Sequence, residues 1–167
     1  MTSDVNFDKR LQRIVKLFRR FVIGNALRIM EAGMESLDLR LEPIAVGDCA
    51  VVRVTGEIDA FTAPGLRDVL NSPSSDHVVV DLRGVAFLDS TGLGVLIGAV
   101  KRLQKRDGSL KIVTDRSGRV RRLFEITSLT RAFEMRTSIL AAIADDAHWQ
   151  AAIGRSPADW CREHELQ

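Results

Sequence analysis

The chain has 167 residues, of which 46% are hydrophobic and 28% charged, so it is long enough for one core of ordinary size and leaves little for a second independent domain. Aromatic residues make up only 5% and tyrosine is absent, which argues against a surface that stacks on nucleic-acid bases. Cys49 and Cys161 fit neither a disulfide framework nor a Cys/His metal spacing, so a disulfide-rich secreted protein is excluded and a cytoplasmic location is expected.

The net charge of +2 is unevenly distributed along the chain. Residues 1–33 carry seven basic and three acidic side chains, a net charge of +4, which leaves −2 for residues 34–167. Apolar residues recur at helical spacing in this leader, with arginines and lysines on the other face. We expect a basic amphipathic helix, interrupted by charges too often to span a bilayer.

Three interpretations of residues 1–33 stay open. The leader is a helix that binds an anionic lipid surface, a helix that docks on a partner or on the rest of the chain, or translated sequence upstream of a true start at Met34. Membrane association is the least favoured for the whole protein. The predicted organisation is the leader, a domain over 34–145 and a C-terminal helical extension over 146–167, in which Trp149 and Trp160 cover the core or a partner.

Alternating and helical periodicities divide the rest of the chain into strands and helices. The predicted strands are 37–41, 50–55, 78–88, 109–114 and 133–135. The predicted helices are 62–70, with Thr62 as N-cap, and 93–106, 117–126, 138–153 and 157–164. Gly47-Asp48 makes a hairpin of the first two strands. The alternation that follows predicts an α/β fold with a mixed sheet of four to five strands, about four helices and the basic N-terminal extension.

The tetrad Asp89-Ser90-Thr91-Gly92 lies between a predicted strand that ends near Leu88 and a helix that begins near Leu93. It places a small hydroxyl at a helix N-terminus, where Ser90 can cap the helix. A phosphate on this hydroxyl would face unpaired N–H groups and the positive end of the helix dipole. From these residues alone, Ser90 is either a cap or a phosphorylation site, and Thr91 is a second candidate hydroxyl.

The sequence around the tetrad resembles the STAS domain of bacterial anti-sigma factor antagonists over about residues 35–145. Four segments carry the resemblance: Gly56-Glu57-Ile58-Asp59 with Thr62-Ala63-Pro64, Val80-Asp81-Leu82, Phe87-Leu88-Asp89-Ser90-Thr91-Gly92-Leu93-Gly94-Val95-Leu96, and Leu123-Phe124-Glu125-Ile126. The resemblance implies a STAS-like fold. It also implies a switch protein that regulates sigma-factor-dependent transcription, including stress responses, by exchanging partners.

In that family an anti-sigma factor that is also a serine kinase phosphorylates the serine at the Ser90 position, and a metal-dependent phosphatase of the PP2C type reverses the reaction. The unphosphorylated antagonist binds the kinase and frees the sigma factor, whereas the phosphorylated form dissociates. The resemblance therefore makes Ser90 the expected phosphorylation site. Asp59, Asp89, Ser90, Thr91 and Gly92 are the expected partner-binding residues.

No catalytic, cofactor or metal motif is present in the sequence, and we expect a protein that is not an enzyme. Asp89, Ser90 and His77 form a nominal triad that nothing in the sequence brings together. His77, His148 and His164 are scattered and are expected to be surface or packing residues. The alternative function is a STAS scaffold that does not switch, as an accessory subunit of a sensor assembly or of a membrane transporter.

Overall fold

The computed structural model describes residues 39–72 and 74–166. The predicted leader, the Met34 start and the beginning of the first predicted strand therefore lie outside the described residues. The first two strands form the expected hairpin: β1 is Arg40–Val46 and β2 is Cys49–Ile58. They pair antiparallel across a turn at Gly47-Asp48, with Val46 opposite Cys49 and Arg40 opposite Thr55.

Helices and strands then alternate. In chain order they are α1 Ala63–Leu70, β3 His77–Leu88, α2 Ser90–Gln104, β4 Ser109–Val113, α3 Arg119–Ile126, β5 Glu134–Arg136, α4 Ile139–Ile143, α5 Ala147–Ile153 and α6 Pro157–Glu163. The strands form one sheet in the order β1-β2-β3-β4-β5, in which β1 is antiparallel and all other neighbours are parallel. The predicted mixed α/β sheet is confirmed.

The described residues contain six α-helices, one more than the five predicted ranges. The predicted helix over 138–153 is two helices, α4 and α5, separated at Asp145-Asp146. The Asp146 side chain accepts hydrogen bonds from the N–H groups of His148 and Trp149 at 3.0 and 3.3 Å, which starts a new helix at Ala147. The short terminal helix begins after Ser156, as predicted.

Each face of the sheet packs against a different set of helices. The first face lies against α1, α2 and α3, whose buried side chains include Leu66, Leu96 and Phe124. The second face lies against α4, α5 and α6. Trp149 is fully buried there and its ring contacts Trp160, with ring centroids 6.0 Å apart. Of the two roles open for these tryptophans, covering the core is the one that the structure shows.

A buried lysine ties the C-terminal helices to the sheet. Lys111 of β4 donates from Nζ to the Ala142 carbonyl at 2.8 Å and pairs with the Asp146 carboxylate at 2.7 Å. Burial raises the pKa of Asp146, but the hydrogen bonds from Lys111 and from the backbone of Trp149 outweigh it and hold that pKa below its usual value. Asp146 therefore fixes the start of α5 and anchors it to β4.

Candidate functional site

Two loops meet at the carboxyl ends of β2 and β3. Because these strands are parallel and pair Ile58 with Leu88, the segments that follow them leave the same edge of the sheet. The Asp89 N–H donates to the Ile58 carbonyl at 3.0 Å, which holds the two loops side by side. The structure thus brings Asp59 next to the tetrad.

The N-cap of α2 is Asp89, so the interpretation of Ser90 as the cap of this helix is wrong. Asp89 has extended backbone angles, φ −97° and ψ −176°, and its Oδ1 accepts from the N–H groups of Thr91 at 2.8 Å and Gly92 at 3.0 Å. The helix begins at Ser90, earlier than predicted. A carboxyl oxygen and a hydroxyl are both good caps. The N-cap is the last extended residue before a helix, and because β3 ends at Leu88 that residue is Asp89.

Ser90 is consequently the first residue of the helix, and its hydroxyl has no hydrogen-bond partner in the described part of the chain. The side chain is half-buried, and it makes no hydrogen bond to any residue in 39–72 or 74–166. Thr91 is half-buried as well. Both residues line one end of a groove of about 400 Å³ between α1 and α2, in which Arg67 and Arg102 also lie. The Ser90 hydroxyl is therefore at the surface and has no role in capping the helix.

Gly92 acts through packing. A Cβ at this position would come within 2.5 Å of Ile58 Cγ2 and of Leu88 Cδ1, well inside van der Waals contact. The absence of a side chain lets the first turn of α2 sit directly on the ends of β2 and β3. Gly92 is buried and presents no side chain to a partner, so it contributes to the site by positioning Ser90 and Thr91.

Asp59 organises the other loop. Its Oδ1 accepts from the backbone N–H groups of Phe61 and Thr62, each at 2.9 Å. Partial burial raises the pKa of this carboxyl, but the hydrogen bonds from Thr62 and Phe61 outweigh it and lower the pKa, so Asp59 is anionic at neutral pH. Thr62 is the N-cap residue of α1, as predicted, but its side chain makes no capping hydrogen bond, because the hydroxyl bonds to the Glu57 carbonyl and the Asp59 N–H instead.

Sequence reasoning missed Phe61, whose side chain is 92% exposed at the tip of the β2–α1 loop. The signal in the sequence was a bulky apolar residue inside a short turn between Asp59 and Thr62. The nominal triad fails on geometry: His77 begins β3 and Ser90 follows its other end, roughly 35 Å away at the rise of an extended strand. His77 stacks on His148 instead, with ring centroids 4.0 Å apart.

Two further features bear on the chemistry of the site. Among the described residues, no group of three or more His, Cys, Asp or Glu side chains is arranged to hold a metal ion. In the same part of the chain, no helix combines the length and apolar character needed to cross a bilayer. The groups that the loops do present are a hydroxyl, a fixed carboxylate and an exposed aromatic ring, which suit recognition by another protein.

A five-stranded mixed sheet with a helix N-terminus at the carboxyl end of its central strand is the architecture of a STAS domain. The sequence matches the STAS domain family over residues 41–142, and the chain belongs to that family. Its expected membership and fold are confirmed. The C-terminal helices α5 and α6 lie beyond the matched segment.

Relatives of this chain are described as anti-sigma factor antagonists. The chain is similar to the anti-sigma-B factor antagonist of Staphylococcus epidermidis, with 40% identity over 96 residues that cover 56% of this chain and 88% of the relative. It is also similar to the crystal structure of an anti-sigma factor antagonist from Mycobacterium paratuberculosis, with 28% identity, a TM-score of 0.58, and coverage of 68% of this chain and all of that one. Anti-sigma factor antagonists are thus its homologues.

A third comparison shows the fold alone. The structure of the Bacillus cell fate determinant SpoIIAA in its phosphorylated form has 20% identity and a TM-score of 0.50, and covers 63% of this chain and 96% of that one.

Proposed function

We propose that this protein is an anti-sigma factor antagonist that works by partner switching in the cytoplasm. Unphosphorylated, it binds an anti-sigma serine kinase through the Asp59 and Asp89–Gly92 loops and so frees a sigma factor. The kinase phosphorylates Ser90, and the phosphorylated protein dissociates. A phosphatase of the PP2C type restores the binding form. The protein is a substrate and binding partner, not a catalyst.

One observation carries the proposal: the Ser90 hydroxyl has no hydrogen bond among the described residues, while Asp89 caps the helix. A hydroxyl that also held the fold together would have to break that contact on each cycle of modification. Here a phosphate can be added without the loss of a structural bond. The homologues are anti-sigma factor antagonists, and SpoIIAA is a STAS-like protein whose structure has been solved in a phosphorylated form.

The electrostatics of the site suit a switch. A phosphate adds a charge of about −1.5 to −2 at neutral pH. Asp59, anionic at neutral pH, lies in the neighbouring loop. Burying the extra charge in an interface fitted to a neutral hydroxyl costs several kcal/mol unless cations pair with it. Because ~1.4 kcal/mol changes an affinity tenfold, this penalty is enough to release a partner.

The test uses the full chain with the purified anti-sigma serine kinase of the same organism. Incubation with Mg-ATP is expected to add one phosphate, which peptide mass spectrometry places on Ser90. Thr91→Val is the matched control, since it removes the neighbouring hydroxyl and should still be phosphorylated. A phosphate on Thr91 alone would contradict the assignment.

Binding provides the second arm of this test. Ser90→Ala is expected to stay bound to the kinase in the presence of ATP, whereas Ser90→Asp, which mimics the added charge, is expected to bind at least tenfold more weakly. Equal affinity of the two variants would remove the switch. It would favour the scaffold function, in which the chain stays bound within an assembly whatever the state of Ser90.

A further inference from the structure

Three large hydrophobic side chains are exposed in the described part of the chain: Phe61, Phe87 and Ile126. Phe61 is the most exposed of the three: 92% of its surface is open to solvent, against 36% for Phe87 and 69% for Ile126. Phe87 belongs to β3 and Ile126 ends α3, so both are parts of regular elements. Phe61 stands in a loop that turns it away from the core.

The loop holds Phe61 in place. The Phe61 N–H and the Thr62 N–H both donate to Asp59 Oδ1, and the Ala63 N–H donates to the Asp59 carbonyl at 2.9 Å. All three donors are backbone N–H groups and both acceptors belong to Asp59, so none of these bonds depends on the aromatic ring. The backbone at Phe61 is therefore ordered before any partner arrives, so binding has to order only the two side-chain torsions of the ring.

The position of Phe61 connects it with the Ser90 loop. Asp59 and Asp89 follow paired residues of β2 and β3, and the Asp89 N–H bond to Ile58 joins the two loops. A protein that covers Ser90 closely enough to phosphorylate it must also approach the neighbouring loop. Aromatic side chains that become buried at the centre of an interface account for much of its affinity.

We infer that Phe61 is the anchor residue of the kinase interface and inserts into an apolar pocket of the kinase. This inference rests on the proposed function. Phe61 supplies attraction that does not depend on the state of Ser90, and the small Ser90 side chain supplies the switch. Attachment and release are then carried by different residues of adjacent loops, so a single phosphate can reverse binding without any change in the anchor.

The experiment measures the affinity of full-length variants for the purified kinase by isothermal titration calorimetry. Phe61→Ala is expected to weaken binding by about 30-fold or more, the range of interface hot spots. Phe61→Leu, which keeps a smaller apolar group, should lose less. Ile126→Ala is the matched control, because it removes an exposed apolar side chain from the end of α3 and should leave the affinity within twofold of the wild type.

Phosphorylation kinetics give an independent measurement. Phe61→Ala is expected to raise the KM of the kinase for this protein by a similar factor while kcat stays unchanged, because the anchor does not touch the reacting hydroxyl. A fall in kcat at unchanged KM would contradict an anchoring role. Circular dichroism melts of Phe61→Ala should match the wild type, since the ring makes few contacts within the chain.

The outcomes separate the two proposals. If the wild type fails to bind the kinase, or if Ser90→Asp binds as well as Ser90→Ala, the proposed function fails. If those variants behave as expected but Phe61→Ala binds as tightly as Ile126→Ala, only the anchor is overturned. Loss of self-association of Phe61→Ala in gel filtration, with unchanged kinase affinity, would assign the ring to a contact between copies of this chain and would also overturn the anchor.

Discussion

The amino and carboxyl ends of the parallel strands differ in how their side chains are used. Toward the amino end of the parallel strands, charged and polar side chains lie inside the fold: Lys111, opposite Val79 of β3, is paired and buried, and His77 is stacked on His148. At the carboxyl end, Ser90 has no hydrogen-bond partner among residues 39–72 and 74–166, and Phe61 is exposed. The amino end uses its polar groups for stability, whereas the carboxyl end leaves the Ser90 hydroxyl and the Phe61 ring available to another molecule.

This contrast predicts that stability and binding can be separated by mutation. The largest effect is expected for Trp149→Ala, which empties a fully buried site between the second face of the sheet and the C-terminal helices. A loss of about 3 to 5 kcal/mol in the free energy of unfolding is expected, as for other buried aromatic residues. Urea denaturation measures it. At a temperature where the variant is still folded, kinase affinity should match the wild type; a parallel loss of binding would break the contrast.

Asp146→Ala is expected to rank second, with a loss of about 3 kcal/mol. The variant removes the cap of α5 and leaves Lys111 buried beside a more distant Glu134, 3.6 Å from its Nζ. Glu134→Ala is the control, since that side chain is exposed and should cost less than about 0.5 kcal/mol. Comparable losses for the two variants would show that the Asp146 contacts contribute little.

The charge of Asp146 also predicts a dependence on pH. Its pKa is lowered in the folded protein, so the stability that it contributes is present above the ordinary carboxyl value of 3.8 and is lost as the pH falls through the lowered pKa. Asp146→Asn keeps an oxygen for the cap but cannot ionise. Its unfolding free energy should therefore vary less than that of the wild type below about pH 4. An unchanged acid profile would contradict the lowered pKa.

A smaller effect is expected at the other end from Asp89→Ala, which removes the cap of α2. The loss should be about 1 kcal/mol, and Asp89→Asn should recover most of it because asparagine caps nearly as well. Thermal unfolding followed by circular dichroism measures both variants. Equal destabilisation by Ala and Asn would show that the charge of Asp89, rather than its capping oxygen, stabilises the loop.

The smallest effect is expected for Ser90→Ala, which should change the free energy of unfolding by less than about 0.5 kcal/mol. This value sharpens the comparison, because a residue proposed to control the whole function should contribute almost nothing to the fold. A loss of 1 kcal/mol or more would mean that the hydroxyl makes a stabilising contact after all. The Ser90→Ala phenotype in kinase binding could then no longer be assigned to the missing phosphate acceptor alone.

Local patterns were enough to predict the hairpin, the alternation of helices and strands and the mixed sheet, because strand and helix periodicities are properties of contiguous residues. The identity of the α2 cap was not predictable in this way. Asp89 and Ser90 are adjacent and both cap well, and the choice depends on where β3 ends and on how Gly92 packs against Ile58. The break between α4 and α5 has a similar cause, since Asp146 is also fixed by Lys111, 35 residues away in the chain.

The candidate site also contains residues that a local motif predicts and residues that only the fold reveals. Ser90 and its neighbours were found from a short motif, whereas Phe61 was not, because exposure is decided by the fold and an apolar residue in a sequence is expected to be buried. Thr62 was correctly predicted as the N-cap of α1, but the partners of its hydroxyl were not predictable from the sequence. Its hydroxyl reaches back to the Glu57 carbonyl, which only the folded turn brings within 2.8 Å.

The antiparallel course of β1 has a practical consequence for experiments. Arg40 pairs with Thr55, three residues before β2 ends, so the chain enters the described fold near the edge that carries Phe61 and Ser90. An affinity tag or fluorescent protein joined directly to Arg40 would lie close to the surface proposed to meet the kinase. Immobilisation for binding measurements is better made through an engineered attachment point in the β1–β2 turn, such as the exposed Asp48, because the length of β2 from Cys49 to Ile58 separates this turn from both loops.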